Sequence, residues 1–182
     1  MSGEPSSSTV GKGEVSALVG ATARVGVYGA LGRMGQMVVR TLLSPPEPAD
    51  LSVALVSALV PTNNAQLGRD IGPLVGLGAV GVSATCDLGS VLRICQVIID
   101  FSTPAATAIL APAAAAAGVA MVIGTTGLHQ PALAAIGAAS ERVPVVHSAN
   151  MSPGINVLLG LIRRAAAVLP DYDAEIVEIH HR

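Results

Sequence analysis

The sequence predicts an α/β fold, a parallel sheet with helices on its flanks, and three observations carry that expectation. Short β-branched runs at Val25–Tyr28, Val97–Phe101, Val119–Ile123 and Val143–His147 alternate with Ala- and Leu-rich segments. Strands buried on both faces read as near-continuous apolar runs, and the segments between them as crossover helices. Hydrophobic residues make up 51% of the 182, yet there are only two Tyr, one Phe and no Trp. The core must therefore be built from Val, Ile, Leu and Ala. Third, the first of these strands runs straight into Gly29, Gly32 and Gly35, which open a helix.

Strand, glycine turn and helix N-terminus, in that order, are the context a phosphate-binding fingerprint needs. Gly29 permits the tight turn off the strand, and Gly32 lets a pyrophosphate approach the backbone. Gly35, with no Cβ, lets the helix pack closely on the sheet. The orphan amides and positive dipole end of the helix then face the anionic phosphates. The spacing is GxxGxxG rather than GxGxxG, so a glycine-rich turn in a domain that binds nothing is the competing reading.

The other elements follow in order. Residues 1–22 are Ser- and Gly-rich without periodicity and read as a flexible tail. The first helix runs through Leu43 and stops at Ser44-Pro45-Pro46. Leu51–Val56 reads as the second strand, residues 61–78 as a long irregular connection, and Ala79–Ser83 as a short strand. Asp87 is an N-cap for a helix reaching Arg93. After Val97–Phe101, Thr103 as N-cap and Pro104 at the first helical position start a helix that Pro112 should kink or interrupt and Gly118 should end. Val119–Ile123 opens into Gly124-Thr125-Thr126-Gly127, followed by a helix over Pro131–Arg142 and the strand Val143–His147. The polar junction 148–154 leads to a helix from about Ile155 to Leu169. Ala174–Ile179 then alternates polar and apolar, as a half-exposed strand does.

Composition excludes several classes. Ten Lys and Arg against twelve Asp and Glu give a net charge of −2, so no basic field calls for nucleic acid or an acidic membrane. No apolar run reaches the length of a membrane span. The N-terminus has neither the basic region nor the early apolar region of a secretory signal. Cys86 and Cys95 form no CxxC pair and have no companion ligands, so they read as packed thiols of a reducing cytoplasm rather than as a metal site.

In an open parallel sheet, ligands sit at the carboxyl ends of the strands. Four small polar or glycine-rich stretches fall there: Gly29–Gly35, Phe101-Ser102-Thr103, Gly124–Gly127 and Ser148-Ala149-Asn150. The Gly124–Gly127 loop offers amides and two hydroxyls suited to a carboxamide or a ribose. A dinucleotide site usually has an Asp or Glu near the end of the second strand for the ribose diol. Residues 57–61 offer no carboxylate, whereas Arg33 can lie beside a 2′-phosphate. His180 and His181 follow the last predicted strand, where an imidazole can move a proton or, as a cation, hold a carboxylate.

Taken together, Gly29-Ala-Leu-Gly-Arg-Met-Gly35, Ile99-Asp-Phe-Ser-Thr-Pro104, Val122-Ile-Gly-Thr-Thr-Gly127, Ser148-Ala-Asn-Met-Ser152 and Glu178-Ile-His-His-Arg182 resemble the 4-hydroxy-tetrahydrodipicolinate reductase family, which acts on the diaminopimelate route to lysine. The five motifs stand in the family's order over residues 24–182. The resemblance implies a Rossmann-type domain over 23–151 and, over 152–182, a hinge helix and the first strand of a mixed-sheet substrate domain. It implies NADPH or NADH as cofactor, a dicarboxylate substrate and a homotetramer. Gly29, Ala30, Leu31, Gly32, Arg33, Met34 and Gly35 would then hold the pyrophosphate, and Gly124, Thr125 and Thr126 the nicotinamide end. Ser148, Ala149, Asn150 and Met151 would form the wall beside the nicotinamide ring. His180 matches the catalytic histidine and His181 the histidine that touches substrate. The family's acidic ribose contact falls near Val60, a departure. Family members also continue past His-His-Arg into a segment with a catalytic lysine and a carboxylate-clamping Gly-Thr pair, so the resemblance implies a truncated chain.

Three functions are therefore weighed: a reductase or its N-terminal fragment, a nucleotide-binding module without catalysis, and a different Rossmann dehydrogenase of a small acid. The histidine motif favours the first.

Overall fold

A computed structural model describes residues 22–45 and 53–173 together with Glu175 and Val177. The expected tail (residues 1–21 of it), the end strand Ala174–Ile179 apart from those two residues, and both His180 and His181 lie outside the described residues.

Six parallel strands form one sheet: β1 (Ala23–Tyr28), β2 (Val53–Leu59), β3 (Ala84–Thr85), β4 (Val97–Asp100), β5 (Ala120–Ile123) and β6 (Val145–His147). Their spatial order is β3-β2-β1-β4-β5-β6. The chain builds outward from β1 to one edge, then crosses back to lay β4 on β1's other side. A topological switch point, where a crevice opens at the strand ends, thus lies between β1 and β4.

The crossovers are helical: α1 (Arg33–Leu43), α2 (Ile71–Leu74), α3 (Leu88–Ile94), α4 (Pro104–Ala117) and α5 (Gln130–Ser140). Two buried clusters result. One joins Val27, Leu55 and Ala58 of the sheet to Val39 of α1 and Ile71 of α2. The other joins Leu59, Ile98, Met121 and Ile123 to Val91, Leu110 and Ile136 of α3, α4 and α5. Ile98, Leu110 and Ile123 are fully buried, each contributing about 1.5–3 kcal/mol over an exposed side chain.

Local chemistry sets most of the boundaries. Asp87 caps α3 by accepting from Ser90 N–H at 3.0 Å, and Thr103 Oγ1 caps α4 by accepting from Ala106 N–H at 3.3 Å. Gly118 ends α4 with φ +70°, a left-handed conformation suited to glycine.

Four expectations change. β2 runs to Leu59 rather than stopping at Val56, because Ser57, Ala58 and Leu59 are buried and stay paired with β1. The third strand is Ala84–Thr85, not Ala79–Ser83; of the expected run only Ser83 pairs, in an isolated antiparallel bridge with Asp70. The 61–78 connection is not wholly irregular, since Asp70 organises it. Its carboxylate accepts from the N–H groups of Gly72, Val80 and Gly81, which outweigh desolvation and hold its pKa below the usual range. Pro112 does not interrupt α4, whose neighbouring turns are fixed by buried Leu110, Ala111, Ala114 and Ala115.

After His147 the chain passes into a second unit. Its helix α6 (Pro153–Val168) is capped by Ser152. Among the described residues no sheet follows α6, and no helix is long and apolar enough to cross a membrane.

Candidate dinucleotide site

The turn from β1 into α1 is built by backbone. The N–H groups of Gly29 and Ala30 both donate to the Leu59 carbonyl, at 3.1 and 3.0 Å, tying the turn to the end of β2. Gly29 has φ +79°, and a Cβ there would lie 2.6 Å from the Phe101 carbonyl oxygen. Gly35 is more constrained still: its Cβ would lie 2.0 Å from the Gly29 oxygen. Gly35 therefore serves the closeness of helix to turn, and only a hydrogen fits. Gly32 has more room, its Cβ standing 3.2 Å from the Gly29 oxygen. The Gln36 side-chain amide donates to the Leu31 carbonyl at 2.9 Å and braces the turn from inside.

α1 begins without a side-chain cap, as α5 does, whereas Asp70, Asp87, Thr103 and Ser152 cap α2, α3, α4 and α6. First-turn amides left this way suit an anion. Arg33, Met34 and Gly32 are exposed there, and Ala30 is buried. The Arg33 guanidinium engages no acceptor among the described residues.

A cleft of about 400 Å³ lies along this turn, with Tyr28, Gly29, Gly32, Asn64, Phe101 and Ser102 among its walls. It sits at the switch point, at the carboxyl ends of β1 and β4. The far wall is held by Asp100, the last residue of β4, which is fully buried. Its carboxylate accepts from Ser102 N–H at 2.9 Å, Ser102 Oγ at 2.5 Å and Thr107 Oγ1 at 2.5 Å. Thr125 joins the same network, its hydroxyl accepting from Ser102 N–H at 3.1 Å and donating to the Asp100 carbonyl at 3.4 Å. Burial pushes the Tyr28 phenol above its ordinary pKa, and the Asp100 charge adds to this.

Gly124 is buried, and a Cβ there would collide with the Phe101 ring, 2.1 Å from Cε1. Thr125 is buried with its hydroxyl turned to Asp100, while Thr126 is exposed. The structure thus brings Gly29–Gly35, Phe101–Thr103 and Gly124–Thr126 to one end of the sheet. Ser148–Met151 belong to the second unit. There Ser148 Oγ donates to the Asn150 carbonyl at 2.7 Å, and Asn156 Nδ2 donates to the same oxygen at 3.0 Å, folding the segment onto the start of α6. Ala149, Asn150 and Met151 are exposed.

Sequence reasoning gave no role to Asp100, Tyr28, Asn64 or Gln36. The signal for Asp100 was present: an acid closing a parallel strand, with Ser102 and Thr107 close enough in sequence to satisfy it. A glycine turn at the switch point of a sheet in this strand order gives the first unit a Rossmann-like fold.

Residues 23–151 match the family described as "Dihydrodipicolinate reductase, N-terminus", and the chain belongs to that family. It is 44% identical over 160 residues to a 4-hydroxy-tetrahydrodipicolinate reductase of Anaeromyxobacter dehalogenans, covering 87% of this chain and 57% of that protein. It is 40% identical over 163 residues to the protein of that name from Acinetobacter baumannii, covering 89% and 58%. Among solved structures, a dipicolinate-bound dihydrodipicolinate reductase from Paenisporosarcina sp. TG-14 matches with a TM-score of 0.65 and 25% identity, over 83% of this chain and 56% of that one. The chain thus spans little more than half the length of these relatives.

Proposed function

We propose that this chain is the cofactor-binding part of an oxidoreductase that reduces 4-hydroxy-tetrahydrodipicolinate to tetrahydrodipicolinate, in the biosynthesis of diaminopimelate and lysine, using NADPH or NADH. The observation that carries the reading is the uncapped start of α1 at the glycine turn, in a chain whose relatives bear that name. The cradle fits a dinucleotide because Gly32 lines the cleft without a side chain, which leaves the backbone of the turn open to a phosphate.

In this reading, Gly29–Gly35 hold the pyrophosphate on backbone amides. Gly124 and Thr126 hold the nicotinamide end, with Thr125 anchoring their loop to Asp100 from within. Ser148–Met151 form the wall beside the ring. The bound dinucleotide supplies a hydride to a cyclic imine dicarboxylate formed from the hydroxy compound by loss of water. His180 donates the proton, and His181 holds a substrate carboxylate as a cation. The dipicolinate in the Paenisporosarcina structure supports a dicarboxylate as ligand. Residues 23–151 form the dinucleotide domain. Residues 152–182 supply the hinge helix and first strand of a mixed-sheet substrate domain through which the whole protein assembles as a homotetramer. The two free cysteines fit a cytoplasmic setting. With Val60 in place of an acid and Arg33 without a partner among the described residues, NADPH binds at least as well as NADH.

The test is loss of NAD(P)H absorbance with the dicarboxylate as substrate, for this chain and for the chain extended by the remaining segment of a curated relative. Turnover by the extended chain, with little or none by the 182 residues alone, is the expected result. No turnover by either, with dinucleotide binding intact, favours a binding module instead.

A further inference from the structure

Readers of a dinucleotide ribose commonly stand at the end of the second strand as Asp or Glu. Here β2 ends at Leu59. Val60 is 2% exposed and packs in the core, and Pro61 has no N–H to give. A second, more open depression of about 540 Å³ adjoins the glycine-turn cleft, and the two share Leu31 and Asn64. A ligand with its phosphates at Gly29–Gly32 can cross there into the depression. No acidic side chain lines either cavity; the polar side chains of the depression are the neutral amides Gln36, Asn63, Asn64 and Gln66.

Of these, Gln36 donates to Leu31 and Gln66 accepts from Arg69. Asn63 is exposed and lines only the depression. Asn64 is half-buried, and its orientation is fixed. Its backbone N–H donates to the Pro61 carbonyl at 3.0 Å, and its Oδ1 accepts from Gln66 N–H at 2.9 Å. Because an N–H points at Oδ1, the amide cannot be flipped, and Nδ2 is left with no acceptor among the described residues.

We propose that Asn64 reads the adenosine ribose, donating from Nδ2 to its 2′-oxygen whether that oxygen is a hydroxyl or carries a phosphate. The inference rests on the dinucleotide reading of the glycine turn. A neutral donor gains from either substituent, whereas a carboxylate at the same point accepts from a diol and repels a phosphate. Asn64 is thus what admits the phosphorylated cofactor in this chain, with Arg33 as a cation on the adjoining helix turn.

The test is calorimetric titration of the parent and Asn64→Asp chains with NADH and NADPH. Asp keeps the oxygen that accepts from Gln66 N–H, so the turn is preserved. The expected result is a loss of about tenfold or more in NADPH affinity with NADH affinity unchanged or improved. Asn64→Ser, which keeps a neutral donor, should retain the parent's ratio of the two affinities even if both weaken. Equal effects of Asn64→Asp on both cofactors, or none, would overturn the assignment while leaving the dinucleotide site intact. A parent chain that binds neither cofactor would overturn the site itself, and this proposal with it.

Discussion

Replacing Gly35 by Ala should damage the turn from β1 into α1 more than any other single methyl group in the domain. The added Cβ would stand 2.0 Å from the Gly29 oxygen, 2.7 Å from the Gly29 carbonyl carbon and 2.9 Å from that of Ala30. Ordinary contact begins near 3.4 Å, so helix and turn must part by roughly 1.4 Å. All three obstacles are backbone, and none can rotate aside. Overpacking costs about 1–3 kcal/mol when side chains can yield, so the upper end of that range applies here. With an urea dependence of about 2 kcal/mol per molar, the unfolding midpoint falls by roughly 1 M or more. Gly137→Ala in α5 is the control. That glycine is exposed with nothing within 4 Å of its added Cβ, so the substitution should stabilise by about 0.5–1 kcal/mol. Circular dichroism during urea titration reads both. A Gly35→Ala chain within about 0.5 kcal/mol of the parent would refute the close approach on which the glycine argument depends.

Three further outcomes are expected. Asp100→Ala removes the acceptor of Ser102 and Thr107 and should cost about 3–5 kcal/mol in urea unfolding. Asp100→Asn, which keeps Oδ1 for Ser102 N–H, should cost less than half of that. Alkaline difference absorbance should show the Tyr28 phenol ionising above the ordinary value, and Asp100→Asn should bring it down. Because the folded pKa is the higher one, the unfolded chain loses its proton first. Stability should therefore fall as pH rises from the unfolded tyrosine value through the folded one. A thiol reagent should label exposed Cys86 promptly and Cys95 only on unfolding, since Cys95 is buried and burial pushes its pKa up; equal rates would contradict its placement.

What the sequence made legible was carried by strong local chemistry. The glycine turn, the Asp87 and Thr103 caps and the Gly118 stop are each set by one or two residues acting on their own backbone, and they stand where the sequence put them. The three boundary misses between residues 56 and 85 share a cause. Ser57 broke an apolar run though the fold buries it, and Asp70 reaches Val80 and Gly81, ten and eleven residues on, a contact no local window contains. Pro112 was read by its intrinsic cost, which packing around Leu110 and Ala114 overrides. In the candidate site, the glycines were visible because their need is conformational. Asn64 was not, because its significance comes from the burial of Val60 and the meeting of two cavities, both products of tertiary structure.

In the proposed function, the turn at Gly29–Gly35 receives the phosphates of a nicotinamide dinucleotide. Gly32→Val puts this to the sharpest test, because Gly32 lines the cleft and a Cβ there meets only the Gly29 oxygen at 3.2 Å and the Phe101 oxygen at 3.9 Å. Calorimetric titration with NADPH should give binding heat for the parent chain and none for Gly32→Val, with the sheet's circular dichroism retained in both. Undiminished NADPH affinity in the folded Gly32→Val chain would contradict the account.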